Sequence, residues 1–277
     1  MSGRSVLLTG ATSGIGRAAA KALAASGTSV GVVARDRARG EAVLAELRTA
    51  GPSGTHQLFL ADLASQSDVR ALATQVLAAM PQLNVLFLNA GVYVPHRETT
   101  PDGYERSLAV NHLAPFLLTH LLQDRLRANA PSRIVLTASA AHKMAKLDLT
   151  DLQSERRYRG FSVYGKSKLA NILFTYAMAR RLEGTGVTIN CFHPGVIRSG
   201  LFGSGGGRIF ALISYPFMRS PQHGARTGVY LATSPEVEGV TGRYFSGRKA
   251  IASSAVSQDV ALQEALWKES VRLCRLA

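Results

Sequence analysis

Eight residues near the N-terminus constrain this chain most: Thr9-Gly10-Ala11-Thr12-Ser13-Gly14-Ile15-Gly16, directly behind the apolar run Val6-Leu7-Leu8. Glycines at this spacing, with a buried strand before them and an alanine-rich segment after, make a tight turn from strand into helix. Gly10 permits the turn, Gly14 lets the backbone approach a phosphate, and Gly16 lets the helix pack closely on the strand. The first N–H groups of such a helix have no partner within it, and the helix dipole favours an anion in front of them, which suits a pyrophosphate. Thr12 and Ile15 complete the loop, and Ser13 adds a hydroxyl donor.

Beyond this turn the chain alternates short apolar runs with amphipathic segments. Strands are expected near 5–9, 29–34, 56–60, 84–89, 132–138, 187–192 and 242–246, and helices near 14–26, 38–50, 66–80, 102–128, 162–184, 221–234 and 258–274. Runs such as Val85-Leu86-Phe87-Leu88 and Ile134-Val135-Leu136 are apolar on both faces, as in a parallel sheet covered by helices on both sides. The expected fold is α/β: one Rossmann-type doubly wound domain over residues 1–277, with a parallel sheet of about seven strands and three helices on each face. Gly203-Ser204-Gly205-Gly206-Gly207, followed by the apolar and aromatic Ile209 to Met218, reads as a substrate flap near 200–220 on a glycine hinge.

The end of the second strand bears on which dinucleotide is held. Val32-Val33-Ala34-Arg35-Asp36-Arg37 puts a small residue where an acid would bond a ribose 2′-hydroxyl, and Arg35 beside it where a guanidinium meets a 2′-phosphate. Arg39 and Arg17 stand ready to assist, so NADP(H) is expected. A shift of one residue would instead make Asp36 the ribose ligand. Asp62-Leu63 and Asn89-Ala90-Gly91 follow the third and fourth strands, at the sheet edge where open α/β folds bind ligands. Asp62 can accept from an adenine amino group, and the small Ala90-Gly91 step lets backbone pass the adenosine ribose.

Chemistry is suggested further on. Tyr164 and Lys168 are one helical turn apart on one face. A free phenol, with a pKa near 10, exchanges protons poorly at neutral pH; a nearby ammonium and a cationic nicotinamide are expected to lower it. Ser139 falls just past strand five, where its hydroxyl can polarise a carbonyl, and Asn111 sits inside a helix, an unfavourable place for Asn unless its side chain is engaged.

In this order the residues resemble the short-chain dehydrogenase/reductase family over nearly the whole chain. The motifs are Thr9 to Gly16, Asn89-Ala90-Gly91, Asn111, Ser139, Tyr164, Lys168 and Pro194-Gly195. Asn111-His112-Leu113, Ser139-Ala140-Ala141-His142, Ser167-Lys168-Leu169-Ala170-Asn171 and His193-Pro194-Gly195-Val196 further resemble its retinol dehydrogenase and WW-domain oxidoreductase subgroup, which mostly uses NADP(H). The resemblance implies a catalytic tetrad: Tyr164 as general acid/base, Lys168 on the nicotinamide ribose, Ser139 on the carbonyl, and Asn111 holding a water that links Lys168 to solvent. It implies nicotinamide contacts from Pro194, Gly195, Val196, Ile197 and Ser199. Ala138 stands where the family often has a second Ser, and Ser199 where Thr is common.

The implied reaction is hydride transfer between NADP(H) and a carbonyl or alcohol. The substrate is expected to be fairly apolar, bound among 92–96, 142–146 and the flap, whose Phe202, Phe210, Tyr215 and Phe217 are aromatic. The alternative is a catalytically silent dinucleotide-binding regulator or scaffold of the same fold.

The net charge of +14 comes mostly from scattered Arg, without the clustered footprint of nucleic-acid binding. His142 and His193 fit no metal-ligand spacing and read as structural, so no metal is expected. No apolar run reaches membrane-spanning length. With a strand expected from Ser5 and only two cysteines, Cys191 and Cys274, the expectation is a cytoplasmic protein without leader, anchor or disulfides. The long helices resemble faces through which the family forms homodimers and homotetramers, although the core also needs their apolar sides.

Overall fold

The computed structural model describes residues 3–197 and 219–276. One eight-stranded sheet lies at its centre, in the order β3-β2-β1-β4-β5-β6-β7-β8. Strands β1 (Ser5–Thr9), β2 (Ser29–Ala34), β3 (Gln57–Leu60), β4 (Val85–Leu88), β5 (Ser132–Thr137), β6 (Val187–His193) and β7 (Arg243–Ser246) are parallel. An eighth, β8 (Lys249–Ile251), returns antiparallel along β7. It extends the expected seven, and its three exposed residues carry no alternation that would separate a strand from a turn.

Successive residues of each strand point to opposite faces, and two apolar cores follow from that period. Val6 and Leu8 of β1, with Val32 and Phe87, pack under α1 (Gly14–Ala25), α2 (Arg37–Ala50) and α7 (Pro221–Thr233). Leu7, Leu86, Ile134 and Ile189 pack under α3 (Gln66–Ala79), α5 (Ala114–Ala128) and α6 (Gly160–Arg181), with α8 (Val260–Leu273) laid against α6. Full burial of each such side chain is worth about 1.5–3 kcal/mol. Among the longer helices, side-chain caps start α2, α3, α7 and α8, where Asp36, Ser65, Ser220 and Asp259 accept the N–H of Arg39, Asp68, His223 and Leu262.

The helix expected over 102–128 is three pieces. Buried Glu105 caps α4 (Arg106–Leu108), a π-helical turn covers Ala109–Leu113, and α5 follows. The apolar spacing runs through all three, which is why the sequence does not reveal the break. Trp267 of α8 packs against Phe116 of α5 and Phe174 of α6, at ring-centroid distances of 5.0 and 6.0 Å. Phe116 and Phe174, one on each long helix, are thus covered from within the chain.

Connections leave β1 toward β2 and β3 on one side, and β4 toward β5, β6 and β7 on the other. Strand order therefore reverses between β1 and β4, and the crevice at their carboxyl ends is where such a fold binds ligands.

Candidate active site

The glycine turn lies at this reversal. Gly10 and Gly14 have φ of 70° and 50°, in the region that favours glycine. A Cβ on Gly16 would come within 2.0 Å of the Gly10 carbonyl oxygen, so helix and turn could not pack this closely with any other residue. Ser13 precedes α1 without a side-chain cap bond, and the first turn of α1 contains no acid. Together, the close backbone and the uncapped helix start fit a pyrophosphate. Thr12 lies in the same turn. Ile15 and Ile197 pack on one side of α7, where a Cβ on Gly224 would lie 3.1 and 2.8 Å from them.

Asn89 ties the neighbouring strand ends together. Its backbone N–H and that of Ala90 both donate to Thr9 Oγ1 at 3.1 Å, while its Nδ2 donates to the carbonyls of Thr9 and Gly10 at 3.3 Å. Thr137 Oγ1 of β5 donates to Asn89 Oδ1 at 3.3 Å. In the sequence Thr9 belongs to the glycine motif without a role for its hydroxyl, and Thr137 is not singled out, because a threonine ending a strand is indistinguishable there from any other.

Arg35 follows β2 and is exposed, as is Arg39 in the first turn of α2. Asp36 caps α2: its Oδ1 accepts the Arg39 N–H at 2.8 Å. Arg17, expected to assist Arg35, is instead paired with Glu46 of α2, an alternative that only the α1–α2 packing creates. After β3, Asp62 accepts the Ala64 N–H on Oδ1 at 3.0 Å, and Leu63 is partly buried against the core.

At the other end of the crevice, α6 brings up Tyr164 and Lys168, both buried. Lys168 Nζ donates to the Thr137 carbonyl at 3.0 Å and lies 5.6 Å over the centroid of the Tyr164 ring. The Tyr164 phenol hydrogen-bonds with the Ser139 hydroxyl. Its ring also meets that of Tyr93 edge-on at 6.3 Å. Asn111 projects from the π turn, accepting from Val92 N at 2.7 Å and donating to Val92 O and Ser167 Oγ, each at 2.9 Å. π turns recur at functional sites because they re-aim a side chain. Gly91 sits between the two halves: a Cβ there would lie 3.3 Å from Lys168 Nζ and 3.4 Å from Asn111 Oδ1.

One expectation needs correction: the Lys168 ammonium does not draw Tyr164 down, and burial pushes the phenol's pKa up to about 12, against a smaller opposing pull from Ser139. Burial likewise brings Lys168 down to about 8. Both groups lose water, and the lysine addresses the ring while its hydrogen bond goes to backbone. The Asn111 carboxamide holds the Val92 backbone and Ser167.

Pro194, Gly195, Val196 and Ile197 follow β6, with Gly195 at φ 91° and Ile197 bridged to Arg219. Ser199, nearly all of the expected flap over 200–220, and Phe202, Phe210, Tyr215 and Phe217 lie outside the described residues. No helix among the described residues is long and apolar enough to cross a membrane.

Comparison with known proteins identifies the family and agrees with the fold. The family model described as short chain dehydrogenase matches residues 4–205. Retinol dehydrogenase 14 of Mus musculus is 44% identical over 287 residues, covering 96% of this chain and 84% of that protein. Retinol dehydrogenase 12 of Homo sapiens is 40% identical over 277 residues, covering 98% and 86%. Among solved structures, an uncharacterised protein from Mycobacterium paratuberculosis aligns with a TM-score of 0.81 at 31% identity, over 99% of this chain and 94% of that one. A Pseudomonas aeruginosa RhlG/NADP active-site complex aligns with a TM-score of 0.72 at 25% identity, over 88% and 94%.

Proposed function

The chain belongs to the short-chain dehydrogenase family, in its retinol dehydrogenase subgroup, and from that premise we propose that it is an NADP(H)-dependent oxidoreductase acting on a carbonyl or alcohol of a fairly apolar small molecule. The observation that carries the reading is the convergence of Ser139, Tyr164, Lys168 and Asn111 on the sheet edge beside the glycine turn.

When bound, the nicotinamide supplies or accepts the hydride. The rest falls to the chain's own side chains. In the reducing direction Ser139 and Tyr164 donate to the substrate oxygen, and Tyr164 passes its proton to that oxygen as the carbonyl carbon gains the hydride. The phenolate left behind is stabilised by the Ser139 hydroxyl and the Lys168 ammonium until it is reprotonated from solvent. Oxidation runs the same steps backwards.

Gly10, Thr12, Ser13, Gly14, Ile15 and Gly16 would hold the pyrophosphate, and Asp62, Leu63, Asn89, Ala90 and Gly91 the adenosine. Lys168, Pro194, Gly195, Val196, Ile197 and Ser199 would hold the nicotinamide half. Preference for NADP(H) is supported by Asp36: its carboxylate caps α2, which leaves Arg35, aided by Arg39, to meet a 2′-phosphate. An apolar substrate is supported by exposed Met144, close after Ser139, Phe161, one turn before Tyr164, and Val196. The relatives' names, retinol dehydrogenases, point the same way. We place the reaction in the cytoplasm.

The test is titration with NADPH and NADH by fluorescence, then NADPH oxidation with a panel of apolar aldehydes and ketones. Binding of NADPH with turnover of any member is the expected result; failure to bind either nucleotide would overturn the reading.

A further inference from the structure

We infer that His193 and His142 are positioning residues for this reaction: two neutral imidazoles, reaching from different elements, grip the Ser139–Ala140 turn and hold the Ser139 hydroxyl at Tyr164. The inference rests on the roles proposed above for Ser139 and Tyr164.

The sheet stops supporting this turn one residue too early. The last ladder bond beyond β5 runs from Ala138 N to Phe192 O at 2.8 Å. Past it, the imidazoles take over. His193, closing β6, accepts the Ala140 N–H on Nδ1 at 3.2 Å. His142 bonds the Ser139 carbonyl through Nδ1 at 2.7 Å and takes the Ser254 N–H on Nε2 at 3.1 Å. Ser139 Oγ accepts the Ala141 N–H at 3.2 Å. The Ser139–Ala140 peptide group is thereby held at both its carbonyl and its N–H by imidazoles, and the next N–H by Ser139 itself.

These partners dictate the protonation of both rings. His142 Nε2 accepts, so its single proton is on Nδ1, facing the Ser139 carbonyl. His193 accepts on Nδ1, so its proton is on Nε2. A cationic imidazole has no acceptor: His193 would then lose the Ala140 N–H, and His142 would keep the Ser139 carbonyl but lose Ser254. The surroundings favour the neutral forms. His142 is buried and edge-on to Tyr244 at 5.0 Å, and burial, the other imidazole and the Lys143 ammonium oppose a charge on His193.

The outer end of the His142 grip returns to the helix that carries Tyr164. Ser254 follows Ser253, whose hydroxyl meets Tyr176 Oη of α6 at 2.7 Å, twelve residues beyond Tyr164. Donor and acid are therefore joined by three side-chain hydrogen bonds and the intervening chain as well as by their own contact. Misplacing a catalytic donor by about 1 Å costs about 100-fold in rate, so such support has a kinetic consequence.

The test uses the full chain with NADPH and the best carbonyl from the panel. His193→Leu removes the acceptor, whereas His193→Asn puts an amide oxygen where Nδ1 stood and cannot be protonated. We expect His193→Leu to lower kcat by about tenfold or more with NADPH affinity unchanged, and His193→Asn to restore most of it. In a Ser139→Ala background, His193→Leu should add little, because the effect passes through Ser139. Imidazole nitrogen NMR of the wild type without nucleotide, at pH 7, should show neutral His142 protonated on Nδ1 and neutral His193 on Nε2. Undiminished kcat in His193→Leu, full additivity with Ser139→Ala, or the opposite tautomers would overturn the inference and leave the oxidoreductase reading intact. A wild type inert on every carbonyl would instead sink that reading and take the inference with it.

Discussion

The Lys168 ammonium stands 5.6 Å over the centre of the Tyr164 ring, anchored by a 3.0 Å hydrogen bond to the Thr137 carbonyl. Burial works against charge on both groups, leaving the phenol at about 12 and the ammonium at about 8. The phenol therefore keeps its proton at neutral pH, as the role proposed for Tyr164 requires.

Tyr164→Phe removes that proton while keeping the ring against Tyr93. Turnover should fall by about 10²–10⁴-fold, the usual contribution of a general acid. NADPH binding, read by fluorescence titration, should stay within a few fold. Turnover close to wild type would reject Tyr164 as the acid.

Lys168 gives a pH dependence with a definite sign. It is an ammonium below pH about 8 and neutral above it, because burial lowers its pKa. Stabilisation of the phenolate should therefore weaken as pH rises through 8. kcat for reduction at saturating NADPH should decline between pH 7.5 and 9.5, and a flat profile across that range would count against the role given to Lys168.

Arg35 and Asp36 should separate cleanly. Arg35→Ala should weaken NADPH by about 10–100-fold, the worth of a charge-assisted contact, and NADH hardly at all. Asp36→Ala should cost about 1 kcal/mol of stability through the lost cap and leave NADH affinity unchanged. If Asp36→Ala selectively weakens NADH, the carboxylate is a ribose ligand.

His112 should make the fold sensitive to acid. It is fully buried, with a pKa lowered to about 4 by burial. Between pH 6.5 and 4 the unfolded chain binds a proton that the folded one refuses, so stability rises with pH across this window and is level above it. By pH 5 the loss attributable to His112 is about 2 kcal/mol. Urea unfolding at pH 5 and pH 7 measures it, and equal midpoints would show that His112 titrates normally.

Much of this was legible in local pattern. The glycine turn, the alternation of strand and helix and the Tyr164–Lys168 spacing depend on residues within a few positions of one another, so one chain read in order reveals them. Elements of marginal length escaped: β8 is too short for a period, and the π turn at Ala109–Leu113 leaves the apolar spacing unbroken.

What the amino-acid sequence by itself determined was the fold class, the turn that suits a pyrophosphate and the identity of the residues at the sheet edge. The tertiary structure alone decided which groups those residues meet in the fold. It set the Asp36 carboxylate on the Arg39 N–H and Glu46 of α2 beside Arg17. His142 reaches Ser254 across 112 positions, and Asn89 reaches Thr9 across 80. Burial moved Tyr164 away from the pKa that its lysine neighbour suggested. Hydrogen-bond partners and loss of water depend on what the folded chain brings together, and sequence spacing carries no record of either.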